Sequence, residues 1–204
     1  MKQVLIATKN MGKVNEFKFM LEPKGIEVKS LFDINEPIDI EETGQTFAEN
    51  AVIKAEDVAN RFQTIVIADD SGLAVDALDG RPGVYSARYA GEHKDDQANL
   101  EKVLQELEGV PTHNRTGRFH CALAIAFPQG DTHVVEGICE GRITDTPVGQ
   151  NGFGYDPIFY VEEKEKTMAQ LSKQEKNEMS HRAIALKKLS HLWSEIFADE
   201  DKLT

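Results

Sequence analysis

Cysteine is scarce in this chain of 204 residues. Cys121 and Cys139 are far apart, with no Cys-x-x-Cys or Cys/His ligand spacing, so neither a disulfide framework nor a zinc module is indicated. Two buried thiols in a reducing compartment are the expectation. Long apolar runs are absent too. The stretch from Met1 to Ala7 is far too short for a signal peptide or a membrane span, and no later segment approaches that length. A cytoplasmic protein without a membrane partner is therefore expected. Positive charge is in short supply, with 23 Lys and Arg against 35 Asp and Glu, a net charge of -12. Duplex binding demands a basic face, so no nucleic-acid partner is expected. A single nucleotide is compatible with that balance, because a few placed cations and one metal suffice to hold it. Glycine and proline are near average, with no repeat or low-complexity linker. The chain reads as one α/β domain over 1–204, long enough to bury a real core.

Val4–Ala7 reads as a short buried strand, followed by the polar loop Thr8–Lys13 and a helix through Leu21, an α/β opening. A second strand is predicted at Ile26–Ser30, and Leu31–Thr43 is acidic and irregular. Thr46-Phe47-Ala48-Glu49 is a capping box opening a helix to about Phe62, with Phe47, Ala51, Ala55, Val58 and Phe62 on one stripe. Lys54 lies at the edge of that stripe, one turn after Asn50. Ile65–Ala68 suits a central strand ending abruptly at Asp69-Asp70-Ser71-Gly72. A helix is predicted near Asp96–Leu107. Arg118–Phe127 and Thr132–Glu140 flank a turn and predict a long antiparallel hairpin. Gly149–Pro157 precedes a strand at Ile158–Val161, and a last helix from Ser180 buries Ala185, Leu189, Leu192, Trp193 and Ile196.

Four constellations can carry chemistry. A loop before a helix N-terminus, Thr8–Lys13, offers free N–H donors and the charges of Lys9 and Lys13 to a phosphate, although it lacks the GxxxxGK[ST] pattern. An ordinary βα turn with two solvated lysines would look the same. Asp69-Asp70 is the strongest signal. Two adjacent carboxylates at the end of a buried strand repel each other unless a cation sits beside them. Oxygen ligands favour Mg²⁺ or Mn²⁺, and one carboxylate can hold the metal while the other orients or deprotonates water. Glu42 can add a ligand, although a surface acidic run reads the same way. Ser180-His181-Arg182 puts a cation in the first turn of a helix, a mismatch with the dipole that an anionic ligand would remove. Phe153, between glycines, can stack on a flat base, and Asp156 can accept from base N–H groups. Lys54 and Lys176 can reach a phosphate or snorkel to water.

The ordered set Thr8-x-Asn10-x-x-Lys13, Glu42-Thr43-Gly44, Asn50-Ala51-x-x-Lys54, Ala68–Leu73, Pro82-Gly83-x-Tyr85–Tyr89, Gly152–Pro157 and Ser180-His181-Arg182 closely resembles the inosine triphosphate pyrophosphatase family. The resemblance runs from about Val4 to Leu192. It implies an elongated mixed β-sheet with flanking helices, two lobes around a nucleotide cleft, and a homodimer. It also implies a Mg²⁺ cofactor, with Asp70 as proton acceptor and metal-associated residue and Asp69 and Glu42 as further metal-associated carboxylates. Thr8, Lys9, Asn10, Met11, Gly12 and Lys13 would form the triphosphate loop. Lys54, Ser71, Phe153, Gly154, Tyr155, Asp156, Lys176, His181 and Arg182 would contact substrate. Lys9 departs from the family, many of whose members have a small residue there.

The implied activity is hydrolysis of non-standard purine nucleoside triphosphates (ITP, dITP, XTP) to monophosphate and pyrophosphate. Two alternatives stand beside it. An aspartyl-phosphate phosphatase also uses aspartate after a strand, but wants DxD where position 72 is Gly, and a trapped phospho-aspartate would reveal it. A nucleotide sensor without turnover gains little from repelling carboxylates beside a triphosphate.

Overall fold

The computed structural model describes the backbone of residues 2–34, 36 and 38–198, and side chains from 3 to 193 within that range. Ile196 lies outside the described side chains. In chain order the elements are β1 (Lys2–Ile6), α1 (Met11–Leu21), β2 (Ile26–Ser30), α2 (Phe47–Phe62), β3 (Val66–Val75) and α3 (Asp96–Glu106). Then follow β4 (Thr116–Ala126), β5 (Thr132–Ile143), β6 (Phe159–Val161), β7 (Lys166–Thr167), α4 (Lys173–Met179) and α5 (His181–Ala198). The strands form one sheet in the order β2-β1-β3-β4-β5-β6-β7. β1 runs parallel to β2 and β3, and the remaining pairs are antiparallel. The mixed sheet with flanking helices agrees with the expected fold class.

The alternation of strand side chains divides the core. Val66, Ala68, Ala122 and Ala124 meet Ala51, Ala55 and Val58 of α2 on one face. Ile67, Leu123 and Ile125 meet Phe17, Leu21, Ala185 and Leu189 of α1 and α5 on the other. A third cluster around Leu73, Val75, Leu100, Phe119 and Phe159 fills the far end of β3. Each fully buried large side chain contributes on the order of 1.5–3 kcal/mol. Leu192 and Trp193 are only partly buried against the α1–α5 cluster.

Several boundaries differ from the sequence expectation. α1 starts at Met11 rather than after Lys13, because the Asn10 side chain caps it by accepting from the Lys13 backbone N–H at 3.2 Å. The strand expected to end at Ala68 continues to Val75. Asp, Ser and Gly are poor strand formers, but β4 supplies an unbroken ladder from Val66↔Ala126 to Val75↔Gly117. Gly72 is required there: a Cβ would stand 2.4 Å from Ser86 Oγ and 2.6 Å from Gly83 O. The hairpin strands each run further than expected, and Ile158 belongs to a 3₁₀ turn before β6. α4 and the two-residue β7 had no counterpart in the reading. Ser180 caps both ends of a junction, its N–H closing α4 on Lys176 O and its hydroxyl accepting from Ala183 N–H at the start of α5.

Candidate active site

β1 and β3 stop pairing at Ile6↔Ile67, whereas β3 goes on beside β4. From Ala68 onward one edge of β3 therefore opens into a cavity of ≈ 680 Å³. That volume is in the range of small-molecule sites. Every site residue expected from the sequence lines it: the Thr8–Lys13 loop, Glu42, Lys54, Asp69, Asp70, Ser71, Phe153–Asp156, Lys176, His181 and Arg182.

The aspartate pair does not share one environment. Successive side chains of a strand face opposite ways. Asp69 Oδ2 lies 2.9 Å from Lys13 Nζ and 3.2 Å from Arg182, and accepts from Ser71 Oγ at 2.8 Å. Burial would push its carboxyl up, but Lys13, Arg182 and Lys54 together hold it well below the usual carboxylate range. Asp70 faces α2. Burial raises its carboxyl and Glu42 adds to the rise; Lys54, Lys13 and a hydrogen bond from Asn50 offset this only in part. One member of the pair is fixed as an anion and the other is poised to take a proton, the separation that acid–base chemistry exploits.

Lys54 comes off α2 between two acids, 2.7 Å from Glu42 Oε1 and 3.3 Å from Asp70 Oδ1. Arg88 approaches the other Glu42 oxygen at 3.4 Å, and Asn50 Nδ2 donates to the other Asp70 oxygen at 3.1 Å. Glu42 stays below its ordinary value: burial pushes it up, but Lys54 and Arg88 prevail. No group of three His, Cys, Asp or Glu side chains able to hold a metal occurs among the described residues. The donors nevertheless fit Mg²⁺, which takes one or two carboxylates and completes its shell with water and substrate phosphates. Glu42 and Asp70 already converge on one positive charge, and their donors are all oxygen.

At the other end, the Phe153 ring lies against the first turn of α1, where a Cβ on Gly12 would be 2.8 Å from two of its ring atoms. Lys176 Nζ stands 5.0 Å from the ring centroid. The glycines serve the loop itself. Gly152 has φ +81°, and a Cβ there would fall 2.0 Å from Asp156 Oδ2. That oxygen accepts from Phe153 N–H at 3.0 Å and from Lys176 Nζ at 2.7 Å, so Asp156 holds the loop and the lysine while bordering the cavity. Burial raises the Asp156 carboxyl, partly offset by Lys176. The Tyr155 hydroxyl donates to Ser86 O at 2.7 Å, fastening the loop to the turn after β3. His181 stacks on Phe119 and is kept neutral, its pKa lowered by burial and by Arg182 and Lys176.

Three contributors had no role assigned from the sequence, although Asn50 and Arg88 stood in its motifs. Glu16 of α1 pairs with Arg182 and lies 3.4 Å from Lys176, resolving the cation-at-helix-start mismatch with a carboxylate of the protein itself. It falls one helical turn after Lys13 on the same face, the one signal that marks it. Asn50, 1% exposed, joins Asp70 to the Glu42 loop, its Oδ1 accepting from Gly44 N–H at 2.8 Å. Arg88 reaches Glu42 across 46 residues of sequence, which no spacing rule predicts.

The profile of the Ham1 family matches residues 4–192. A Bacillus licheniformis protein named dITP/XTP pyrophosphatase is 65% identical over 192 residues, 94% of this chain and 98% of that protein. A Bacillus subtilis protein of the same name is 62% identical, covering 94% and 97%. The solved structure of the Staphylococcus aureus Ham1 protein superposes with a TM-score of 0.85 at 46% identity, over 95% of this chain and 99% of that one. With its cavity residues on the matched segment and its sheet shared with that structure, the chain belongs to the Ham1 family.

Proposed function

We infer that this protein hydrolyses non-standard purine nucleoside triphosphates (ITP, dITP and XTP) to the monophosphate and pyrophosphate, clearing them from the nucleotide pool. The observation that carries the reading is the opposed treatment of Asp69 and Asp70 inside a cavity lined by cations and by Phe153. The names of the relatives in Bacillus licheniformis and Bacillus subtilis support it.

Asp70 accepts the proton of the attacking water; burial keeps its carboxyl basic enough for the task. Asp69 stays ionised and fixes Lys13 and Arg182 where developing charge is met. Lys13, Lys54 and the α1 N-terminus hold the leaving pyrophosphate. Phe153 stacks on the base. Donors from His181, Arg182 and Lys176 favour a 6-oxo purine, because adenine's amino group would leave them unpaired, and Asp156 can accept the N1–H that adenine lacks. Glu42 and Asp70 would hold Mg²⁺; Asp69, expected as a further ligand, is turned to Lys13 and Arg182 and would stay out of the shell. The ion, when bound, neutralises phosphate oxygens as charge builds on them.

We further propose a cytoplasmic homodimer. No helix among the described residues is long and apolar enough to cross a membrane. The functional test is product analysis with ITP, dITP, XTP, ATP and GTP in Mg²⁺. Pyrophosphate released from the first three, with little turnover of ATP, is the expected result. Orthophosphate as the sole inorganic product overturns the reading.

A further inference from the structure

We infer that Lys54 keeps the Glu42–Asp70 carboxylate pair closed to free divalent cations, so that metal enters only together with a nucleotide whose phosphates give the displaced ammonium a new partner. The inference rests on the triphosphate reading of the cavity.

All four oxygens of the two carboxylates have partners within the protein. Glu42 Oε1 and Asp70 Oδ1 share the Lys54 ammonium; Glu42 Oε2 faces Arg88, and Asp70 Oδ2 accepts from Asn50. The unpaired oxygen of the acidic trio, Asp69 Oδ1, is sealed from solvent and offers no entry. Each oxygen retains a second lone pair, so a divalent ion arriving alone must either bind beside the Lys54 ammonium or displace it.

What either course costs is the decisive point. Lys54 is 9% exposed, and its side chain lies along the buried face of α2. Expelling the ammonium from its two acids without a substitute leaves a buried charge unpaired. Leaving it in place sets it against a dication at short range in a poorly screened site. Its three N–H donors need oxygen acceptors, and beyond the two acids the incoming phosphates are the suitable source. Mg²⁺ in turn binds poorly to two carboxylates alone and well when phosphate oxygens complete its octahedron. The same nucleotide thus satisfies both cations. The metal exchanges places with the ammonium instead of filling a waiting cage.

The test is a titration of the nucleotide-free protein with Mn²⁺, followed by the loss of the free-ion paramagnetic resonance signal, for the native chain and for Lys54→Met and Lys54→Gln. The native protein is expected to bind Mn²⁺ at millimolar concentration or weaker. Each variant that retains a cooperative thermal melt should bind it about tenfold or more tightly, as removal of one close like charge predicts. Adding the non-hydrolysable α,β-methylene analogue of ITP should produce a protein-bound Mn²⁺ signal in the native chain. The inference is overturned if the native protein alone binds Mn²⁺ at micromolar concentration, or if the folded variants bind it no better than the native chain. No turnover enters the measurement. A protein that shows this Mn²⁺ pattern but releases no pyrophosphate from ITP would overturn the proposed function and leave the role of Lys54 standing.

Discussion

Asp69 and Asp70 are consecutive residues of one strand that face opposite sides of the sheet, Asp69 toward Lys13 and Arg182, Asp70 toward Lys54 and Asn50. Their removal should therefore have opposite effects on stability. Asp69→Asn takes the carboxylate from Lys13 and leaves Arg182, which is 2% exposed, with Glu16 alone, and a loss of about 3 kcal/mol, the low end for a broken buried pair, is expected. Asp70→Asn removes a carboxylate whose ionised form is disfavoured by the fold, so the nucleotide-free protein should melt at a slightly higher temperature. Urea and thermal denaturation of both variants decide the matter; two variants destabilised alike would refute the division of roles.

The same asymmetry fixes a pH dependence. The Asp69 pKa is lower in the folded protein than in the unfolded one, so its contribution is complete above the unfolded value of about 4. It is lost as pH falls below that value, where the unfolded chain takes up the proton first. The stability gap between native protein and Asp69→Asn should accordingly narrow between pH 6 and pH 3, roughly the interval over which an ordinary carboxyl titrates. A gap that stays constant would contradict it.

Catalysis should depend on Asp70 in its ionised form. Asp70→Asn is expected to lower kcat by roughly 10²–10⁴-fold, the scale of a lost general base. In the native enzyme, kcat/KM should fall on the acid side with a midpoint above the usual carboxylate value, because the Asp70 carboxyl is raised. Unchanged turnover in the variant would remove Asp70 from the chemistry.

Phe153→Ala should weaken substrate more than it slows chemistry. Loss of base stacking is worth about 1–3 kcal/mol, so KM for ITP should rise by about tenfold or more while kcat changes less. Steady-state kinetics on ITP and XTP measure the split; an unaltered KM would take the base off this ring.

Gly137 offers a test from just outside the cavity lining. On β5 it meets the start of α5, where a Cβ would stand 2.1 Å from His181 O and 2.5 Å from Ala185 N. Gly137→Ala should push the His181–Arg182 turn away and erode the preference for ITP over ATP, read as the ratio of kcat/KM values. A variant with unchanged selectivity and stability would show that α5 has slack there.

The motifs were legible in sequence because capping and turn chemistry are local. Thr46 and Glu49 announce α2, which lies where expected; the Asn10 cap went unread, and α1 starts earlier than the sequence suggested. What failed was anything settled by a distant partner. Asp69-Asp70-Ser71-Gly72 reads as a strand end, yet the ladder of β4 and the cations of α1, α2 and α5 make it the middle of a strand. Asp156 reads as a ligand for a base; that it also braces Lys176 and Phe153 was not legible, because both contacts depend on the folded loop. α4 was a different kind of miss. Ser172 and Glu175 form a capping box visible in the sequence, but only seven residues follow before Ser180, too few for a clear apolar stripe.

The pairing of the cavity cations has a consequence for how substrate arrives. Lys13, Lys54, Arg88, Lys176 and Arg182 each already face a carboxylate. On a chain of net charge -12 they project little attractive field into solution. A triphosphate thus meets little bare positive charge, that of Lys9 and Lys94 in the cavity lining, and goes further in by exchanging ionic partners one for another. Encounter of two anions should be slow at low ionic strength and quicken as salt screens their repulsion, and discrimination is left to the reshuffling of contacts after the nucleotide is inside.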